Sequence, residues 1–511
     1  MSDPSGVEGR DRPGRSGSPA ESDRDDIARG AGVNYLGYVA RLGSRAPFLF
    51  LAGILYGEAA FGVYTFGTAI AETAAALSLF GMKRSLSKLM SDAVARGEGL
   101  HRAIAGGIVL ALCLGTVLTL AVAGGAGLLA LAFDLPSAAR AVMILSLAIP
   151  MIVTSDILLV AIRFTRQMRF EVYARSIAEP ITLTVAVVVL YWLGFRDLGL
   201  AIGYVAALTV AAAATAVFFV RLYPVRELLR VRLRWGEIRE LVAFTGPTAG
   251  YELTMLMANR VDVFLVSWFT SASAVGIYGM AREFSTVTKK IRQGFEPILR
   301  PVISDSLATG DLGRARDQLA MVSRWILSAQ APVILAFVFY ADDLLGLLGG
   351  GFAGGALVLV LLMAGDAIEG GFGVNEIPIV YLRPRANIVI GAGWLVLTVG
   401  AGIALVPVLG PEGMALAVAL ALAGVNAARV AVNRSELELD AVEAKLLKPL
   451  AAAVPAGAAV WALERFLAPD PLLAVALGLP LLLALYFGAY ALLGLEEEDR
   501  AQLRRLRARL G

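Results

Sequence analysis

The sequence predicts an all-α polytopic membrane protein of about 14 transmembrane helices, in two pseudo-symmetric six-helix lobes followed by two C-terminal helices. Three observations lead there. The 511 residues are 58% hydrophobic and 17% charged, with a mean hydropathy of +0.72. A water-soluble domain has too little interior for that much apolar surface. Apolar runs of roughly twenty residues, enough to cross about 30 Å of hydrocarbon, recur between short polar joints. Lysine and arginine crowd into every second joint and are scarce in the others, which is the mark of cytoplasmic loops.

Residues 1–30 are rich in Ser, Gly, Pro, Asp and Arg. They are expected to form a disordered cytoplasmic tail. They lack the apolar core of a signal peptide, so the first span is expected to be retained. The N-lobe, 31–221, is expected to hold spans at 33–56, 62–80, 103–131, 138–161, 176–193 and 198–220. A basic cytoplasmic linker, 222–240, leads to the C-lobe, 241–432. Its expected spans are 241–268, 274–288 continuing to about Phe295, 325–341, 352–372, 386–407 and 413–428. Two further spans, 449–467 and 471–494, occupy 433–495. Residues 496–511 set Leu503, Leu506 and Leu510 at helical intervals among arginines. They read as a basic amphipathic cytoplasmic tail, either lying on anionic lipid or standing solvated.

The basic joints set the topology. Lys83, Arg84 and Lys88 fall in one joint, Arg163 and Arg169 in the next but one, and Arg226 to Arg239 in the linker. The alternate joints hold only Arg140, Arg196 and Arg465. Both termini are therefore expected in the cytoplasm, with an even number of helices between them. The single Cys113 allows no internal disulfide. The single His101 removes the usual zinc and haem ligand and histidine acid–base chemistry. No catalytic residue, metal site, cofactor or nucleic-acid partner is expected.

The informative residues are charges inside spans. Arg41 and Arg45 lie roughly 12 and 18 Å from the start of the first span, at about 1.5 Å per residue. A guanidinium at such depth costs at least ~2.5–3.5 kcal/mol unless a wet cavity or a partner receives it. Spaced i, i+4, the two leave one face of the helix. Arg260 and Arg282 lie at comparable depth in the seventh and eighth spans. Either the four line a cavity that holds an anion, or they snorkel and pair with carboxylates on neighbouring helices. Arginine suits diphosphate because its planar fork grips oxygens in pairs and stays charged at any relevant pH.

Embedded acids are the complement: Glu72, Asp156, Glu179, Glu252, Asp262, Glu283, Asp366 and Glu369. Glu252, Asp366 and Asp262 are candidates to carry a coupling H+ or Na+. Any of them serves equally to neutralise an arginine. Pro47, Gly246 and Pro247 are candidate hinges, since proline frees a backbone carbonyl and permits a bend. Proline kinks of purely structural purpose are common in membrane helices.

An internal repeat is written in the joints. Phe61-Gly62-Val63-Tyr64 follows the first span and Val275-Gly276-Ile277-Tyr278 the seventh. Aligned without a gap, Gly62 matches Gly276, Tyr64 matches Tyr278, and Arg45 falls one position from Arg260. Both copies begin on the same side of the membrane, so the repeat is parallel, about an axis along the membrane normal.

These segments resemble polysaccharide flippases of the multidrug/oligosaccharidyl-lipid/polysaccharide exporter superfamily. The resemblance lies in Leu55-Tyr-Gly-Glu-Ala-Ala-Phe-Gly-Val-Tyr64 and in Asp262-Val-Phe-Leu265 followed by Val275-Gly-Ile-Tyr278. It continues in Pro301-Val-Ile-Ser304 with Gly310-Asp311, and in Ala341-Asp-Asp-Leu-Leu345 before Gly349-Gly-Gly-Phe352. It spans about residues 30–430 and implies two lobes around a central cavity. It implies translocation of a polyprenyl-pyrophosphate-linked oligosaccharide across the cytoplasmic (inner) membrane by alternating access, for cell-surface polysaccharide synthesis. Lipid bilayer and polysaccharide-assembly enzymes are the partners it suggests. Two rivals stand beside it. A cation-coupled multidrug exporter of the same superfamily needs an acidic or aromatic cavity. A membrane-embedded glycan polymerase or ligase needs long outer loops, and the outer joints here are short.

Overall fold

The computed structural model describes residues 19–165, 167, 169–467, 471–494, 496 and 499–500. Among these there is no strand. The first half of the chain holds α1 (Pro19–Leu79), α2 (Met82–Ala95), α3 (His101–Ala132), α4 (Ala138–Ser146), α5 (Ala148–Phe164), α6 (Arg169–Glu171), α7 (Glu179–Trp192) and α8 (Gly199–Leu222). After α9 (Val225–Arg230) the second half holds α10 (Trp235–Phe269), α11 (Ala272–Ala308), α12 (Leu312–Gly346), α13 (Ala356–Phe372), α14 (Glu376–Leu382), α15 (Pro384–Leu409) and α16 (Pro411–Glu436). Two more helices, α17 (Lys448–Leu467) and α18 (Pro471–Leu492), complete the set. The protein is an all-α, multi-pass membrane protein.

Among the described residues, eleven segments are long and apolar enough to cross a membrane. About 14 were expected from the hydropathy pattern. The difference falls in two places. The segment Arg45–Ala95 counts once, although it takes in the end of the first expected span and all of the second. Helix α11 is long enough but too polar over any such stretch, and α10 is interrupted at 251 and 258 by residues outside the described ones.

The two arms of α1 form a hairpin. Gly57 breaks the helix with φ 75° and ψ 178°, a conformation closed to side-chain-bearing residues. The rings of Phe48 and Tyr64 lie 5.8 Å apart, whereas a straight helix would hold them roughly 24 Å apart. The chain therefore turns back at Gly57. Residues 19–30, expected to be disordered, belong to this helix. Residues 1–18 and the tail beyond 500 lie outside the described residues.

Other boundaries move for local reasons. The second half begins within the expected linker: Glu237 accepts the Arg234 backbone N–H at 3.1 Å and starts α10 at Trp235. The expected span 274–288 is part of the longer α11, which continues as a more polar helix to Ala308. Before α7 the backbone widens into a π-helical segment, Val172–Ala178. Pro180 lies in the first turn of α7 and has no N–H to return to that segment.

The most extensive helix–helix contact in the molecule joins α1 to α11, and it is built on the repeat. A Cβ on Gly62 would lie 1.8 Å from the Ala272 carbonyl oxygen, and a Cβ on Gly276 would lie 1.9 Å from that of Glu58. Ala272 and Glu58 each sit one turn before the opposite glycine, so the contact is reciprocal about a pseudo-two-fold axis. Just beyond it, Phe61 meets Phe352 with centroids 6.2 Å apart. A Cβ on Gly351 would meet the Glu58 carboxylate at 2.3 Å. The hairpin ends of the two halves are thus closed against each other.

Helices α17 and α18 pack on α12. The Tyr486 hydroxyl donates to the Ser328 carbonyl at 3.1 Å, and buried Arg324 holds Asp499 and the Tyr490 hydroxyl.

Substituting Gly62 or Gly276 by Leu is expected to force α1 and α11 apart. The loss should exceed the ~1–3 kcal/mol usual for overpacking, because the neighbour is backbone. Thermal unfolding of the detergent-solubilised protein measures it, with Gly124→Ala, in open space, as the unaffected control.

Candidate functional site

The hairpin of α1 brings three polar side chains to one wall. Arg45 comes from its first arm, Tyr64 and Glu72 from its second, and all three line a cavity of about 420 Å³. That is within the usual size of a ligand site. The remaining polar lining is Lys83 of α2, Asp156 of α5, Arg175 of the π segment, Glu179 of α7, Tyr204 of α8 and Glu252 of α10. The wall therefore carries three cations and four carboxylates. It is mixed in sign, where sequence reasoning expected a cationic surface.

Each described arginine of the expected cluster has a carboxylate partner. Arg45 Nη2 lies 3.0 Å from Glu283 Oε1, and their side chains are 49% and 25% exposed. Arg260 is hydrogen-bonded to Glu72, which also accepts the Tyr204 hydroxyl at 3.0 Å. Arg282 Nε donates to Asp262 Oδ2 at 2.7 Å and its Nη2 to the Asn259 carbonyl at 2.5 Å. The Tyr278 hydroxyl donates to the same Asp262 oxygen at 2.9 Å. Arg41 lies in α1, but its side chain is outside the described residues.

The three arginines thus differ in kind. Arg282 donates to a buried carboxylate and to a backbone carbonyl. It fastens α10 to α11 and does not line the cavity. Arg45 forms one half-exposed pair at the cavity wall, so its fork keeps donors that a ligand can use. Arg260 stands at the cavity edge through Glu72.

The carboxylates separate in the same way. Glu252 lines the cavity and lies 3.4 Å from Arg84 Nε. Asp262 is committed to Arg282. Asp366 is buried in the second half, accepts the Thr288 hydroxyl at 2.9 Å and lies 3.8 Å from Lys289 Nζ. Nearby, Glu369 gathers Asn426 at 2.6 Å, Arg429 at 3.2 Å and Arg292 at 3.6 Å.

Pro47 lies beside Arg45 within α1, and Pro247 lies within α10. A Cβ on Gly81 would come within 2.7 Å of the Ala249 nitrogen and 2.8 Å of the Thr245 carbonyl. The turn of α10 that contains Gly246 and Pro247 is therefore packed on the end of α1.

Sequence reasoning missed Lys83, Arg175 and Tyr204. Read from sequence, Lys83 and Arg175 fall in two different basic cytoplasmic joints. Lys83 Nζ lies 3.1 Å from Asp156, and Arg175 holds Asp156 and, at 3.5 Å, Glu179. The i, i+4 spacing of Arg175 and Glu179 was the available signal.

A family model described as "Polysaccharide biosynthesis protein" matches residues 50–351. The solved structure titled "Lipid II flippase MurJ, inward closed conformation" is similar with a TM-score of 0.71 at 13% identity, over 90% of this chain and 99% of that one. An inward-facing multidrug resistance MATE family transporter of the MOP superfamily is similar with a TM-score of 0.58 at 15% identity, over 78% of this chain and 98% of that one. No curated protein matches the chain.

Replacing Arg282 by Ala leaves Asp262 buried without its cation, and should cost ~3–5 kcal/mol of stability. Replacing the half-exposed Arg45 by Ala should cost at most about 1 kcal/mol. The two melting temperatures in detergent, compared with wild type, separate the structural arginine from the accessible one.

Proposed function

The chain belongs to the polysaccharide biosynthesis protein family, and on that premise we propose that it is a flippase for a polyprenyl-pyrophosphate-linked oligosaccharide. The membrane is the cytoplasmic (inner) one, with both chain termini in the cytoplasm. The observation that carries the reading is Arg45, a guanidinium half exposed on the wall of a polar cavity inside an apolar bundle. A diphosphate with sugars attached cannot enter hydrocarbon, whereas its polyprenyl tail can stay there. It needs fixed cations on a wet path, and arginine grips phosphate oxygens in pairs.

In this reading Arg45 and Arg260, with Arg41 nearer the start of the helix, hold the diphosphate, and Arg282 keeps their helices in place. Residues 31–221 and 241–432 act as two lobes that rock about Pro47, Gly246 and Pro247, opening the cavity first to the cytoplasm and then outward. Glu252 or Asp366 carries the coupling H+ or Na+, while Asp262 stays paired with Arg282. Polysaccharide-assembly enzymes supply and consume the substrate.

A second reading, a cation-coupled multidrug exporter, draws support from the four carboxylates on the wall: Glu72, Asp156, Glu179 and Glu252. A cationic drug would pair with these where a diphosphate would pair with Arg45.

In the flippase reading Arg45→Ala and Arg260→Ala each remove charge-assisted hydrogen bonds of about 1.5–3 kcal/mol. Lipid-linked glycan should then accumulate on the cytoplasmic leaflet, with export slowed roughly 10- to 100-fold at equal expression. Unchanged export in both variants, together with loss of resistance to a quaternary ammonium drug, favours the exporter.

A further inference from the structure

Three of the ion pairs at the cavity join the halves of the chain: Arg84–Glu252, from α2 to α10, and two more that do so reciprocally. Arg45, on the first arm of α1, reaches Glu283 on α11. Arg260, on α10, reaches Glu72 on the second arm of α1. Each half therefore contributes an arginine from its first span and a glutamate from its second. The same pseudo-two-fold relation sets Gly62 against Gly276 at the hairpin ends. The pair Arg282–Asp262 differs, because both members belong to the second half.

We propose that Arg45–Glu283 and Arg260–Glu72 form a charge clasp between the halves, which the diphosphate of the substrate opens by exchange. This rests on the flippase reading. A diphosphate entering the cavity offers anionic oxygens to both guanidiniums and displaces the two carboxylates. The displaced groups are not stranded. Glu72 keeps the hydroxyl of Tyr204, a residue of its own half, at 3.0 Å. Glu283 faces the space that Arg45 leaves, and its side chain is already 25% exposed. With these pairs broken, the two ion pairs that tie α1 to α10 and α11 below the hairpin ends are gone. What remains there is the apolar and backbone contact around Gly62 and Gly276. Loading the substrate thus lowers the barrier to opening the end opposite to entry.

The test is a distance across the hairpin ends. Spin labels are placed at Arg196→Cys and Val408→Cys, both exposed, in a Cys113→Ser background. Pulsed electron–electron resonance is read in lipid nanodiscs with and without polyprenyl diphosphate, and binding of the radiolabelled lipid is measured separately.

The double variant Glu72→Gln/Glu283→Gln should shift the population toward the longer distance without ligand. It should also bind the lipid roughly two- to tenfold tighter, since no carboxylate competes. Polyprenyl diphosphate should produce the same shift in the otherwise unaltered chain. The charge swap Arg45→Glu/Glu283→Arg should restore the short distance that Arg45→Glu alone loses, which guards against misfolding as the cause. Unchanged distances in the glutamine variant, with the lipid still bound, overturn the clasp and leave the flippase reading standing. Distances that shift in the variant while no form of the protein binds the lipid overturn the flippase reading and the exchange with it.

Discussion

The structure depends on one contact between backbones. Gly62 and Gly276 each admit the carbonyl oxygen of a residue one turn before the other, and no side chain fits between. In lipid there is little hydrophobic force between helices, so close packing of small residues does that work. This crossing sets α1 against α11 along their length. It thereby decides which side chains meet deeper in the bundle. Thr65 follows Gly62 and lies against Gly279, whose added Cβ would meet its hydroxyl at 2.6 Å. Further along, Glu72 and Glu283 come within reach of arginines on the other half.

Burial decides what each arginine can do. Breaking a buried pair strands a charge in a low-dielectric medium and costs several kcal/mol, whereas a half-solvated pair contributes about 1 kcal/mol or less. Arg282, with Asp262, Tyr278 and the Asn259 carbonyl around it, is held as firmly as a core side chain. Arg45 is held weakly and faces open space. Three arginines at similar depth in the sequence, Arg45, Arg260 and Arg282, are therefore not equivalent. Their difference comes from which partner the neighbouring helix presents.

The cavity owes its far wall to an irregular stretch of backbone. The π segment Val172–Ala178 ends just before Pro180 and carries Arg175. From there Arg175 reaches Asp156 on α5 and Glu179 on its own helix. Together with Lys83 these groups make the basic end of the cavity polar without making it cationic. Lysines and arginines that read in sequence as solvated loop charges are in fact part of a balanced network.

Sequence by itself determined the class of the protein and marked the echo whose two glycines meet in the structure. Each rests on a local quantity: apolar length, the sign of joint charges, and a four-residue echo around Gly62 and Gly276. It also marked the embedded charges, because a guanidinium within an apolar run is anomalous wherever it folds. Which carboxylate each arginine meets could not be read, since the partners are far apart in the chain. Arg45 and Glu283 lie 238 residues apart, and Arg260 and Glu72 lie 188 apart. Asp262 was legible as a buried acid near Arg260, yet its partner is Arg282, because neighbours on a helix point to different faces. Only the tertiary structure, through the direction in which two crossing helices turn their faces, decided which charges pair within a half and which bridge the two.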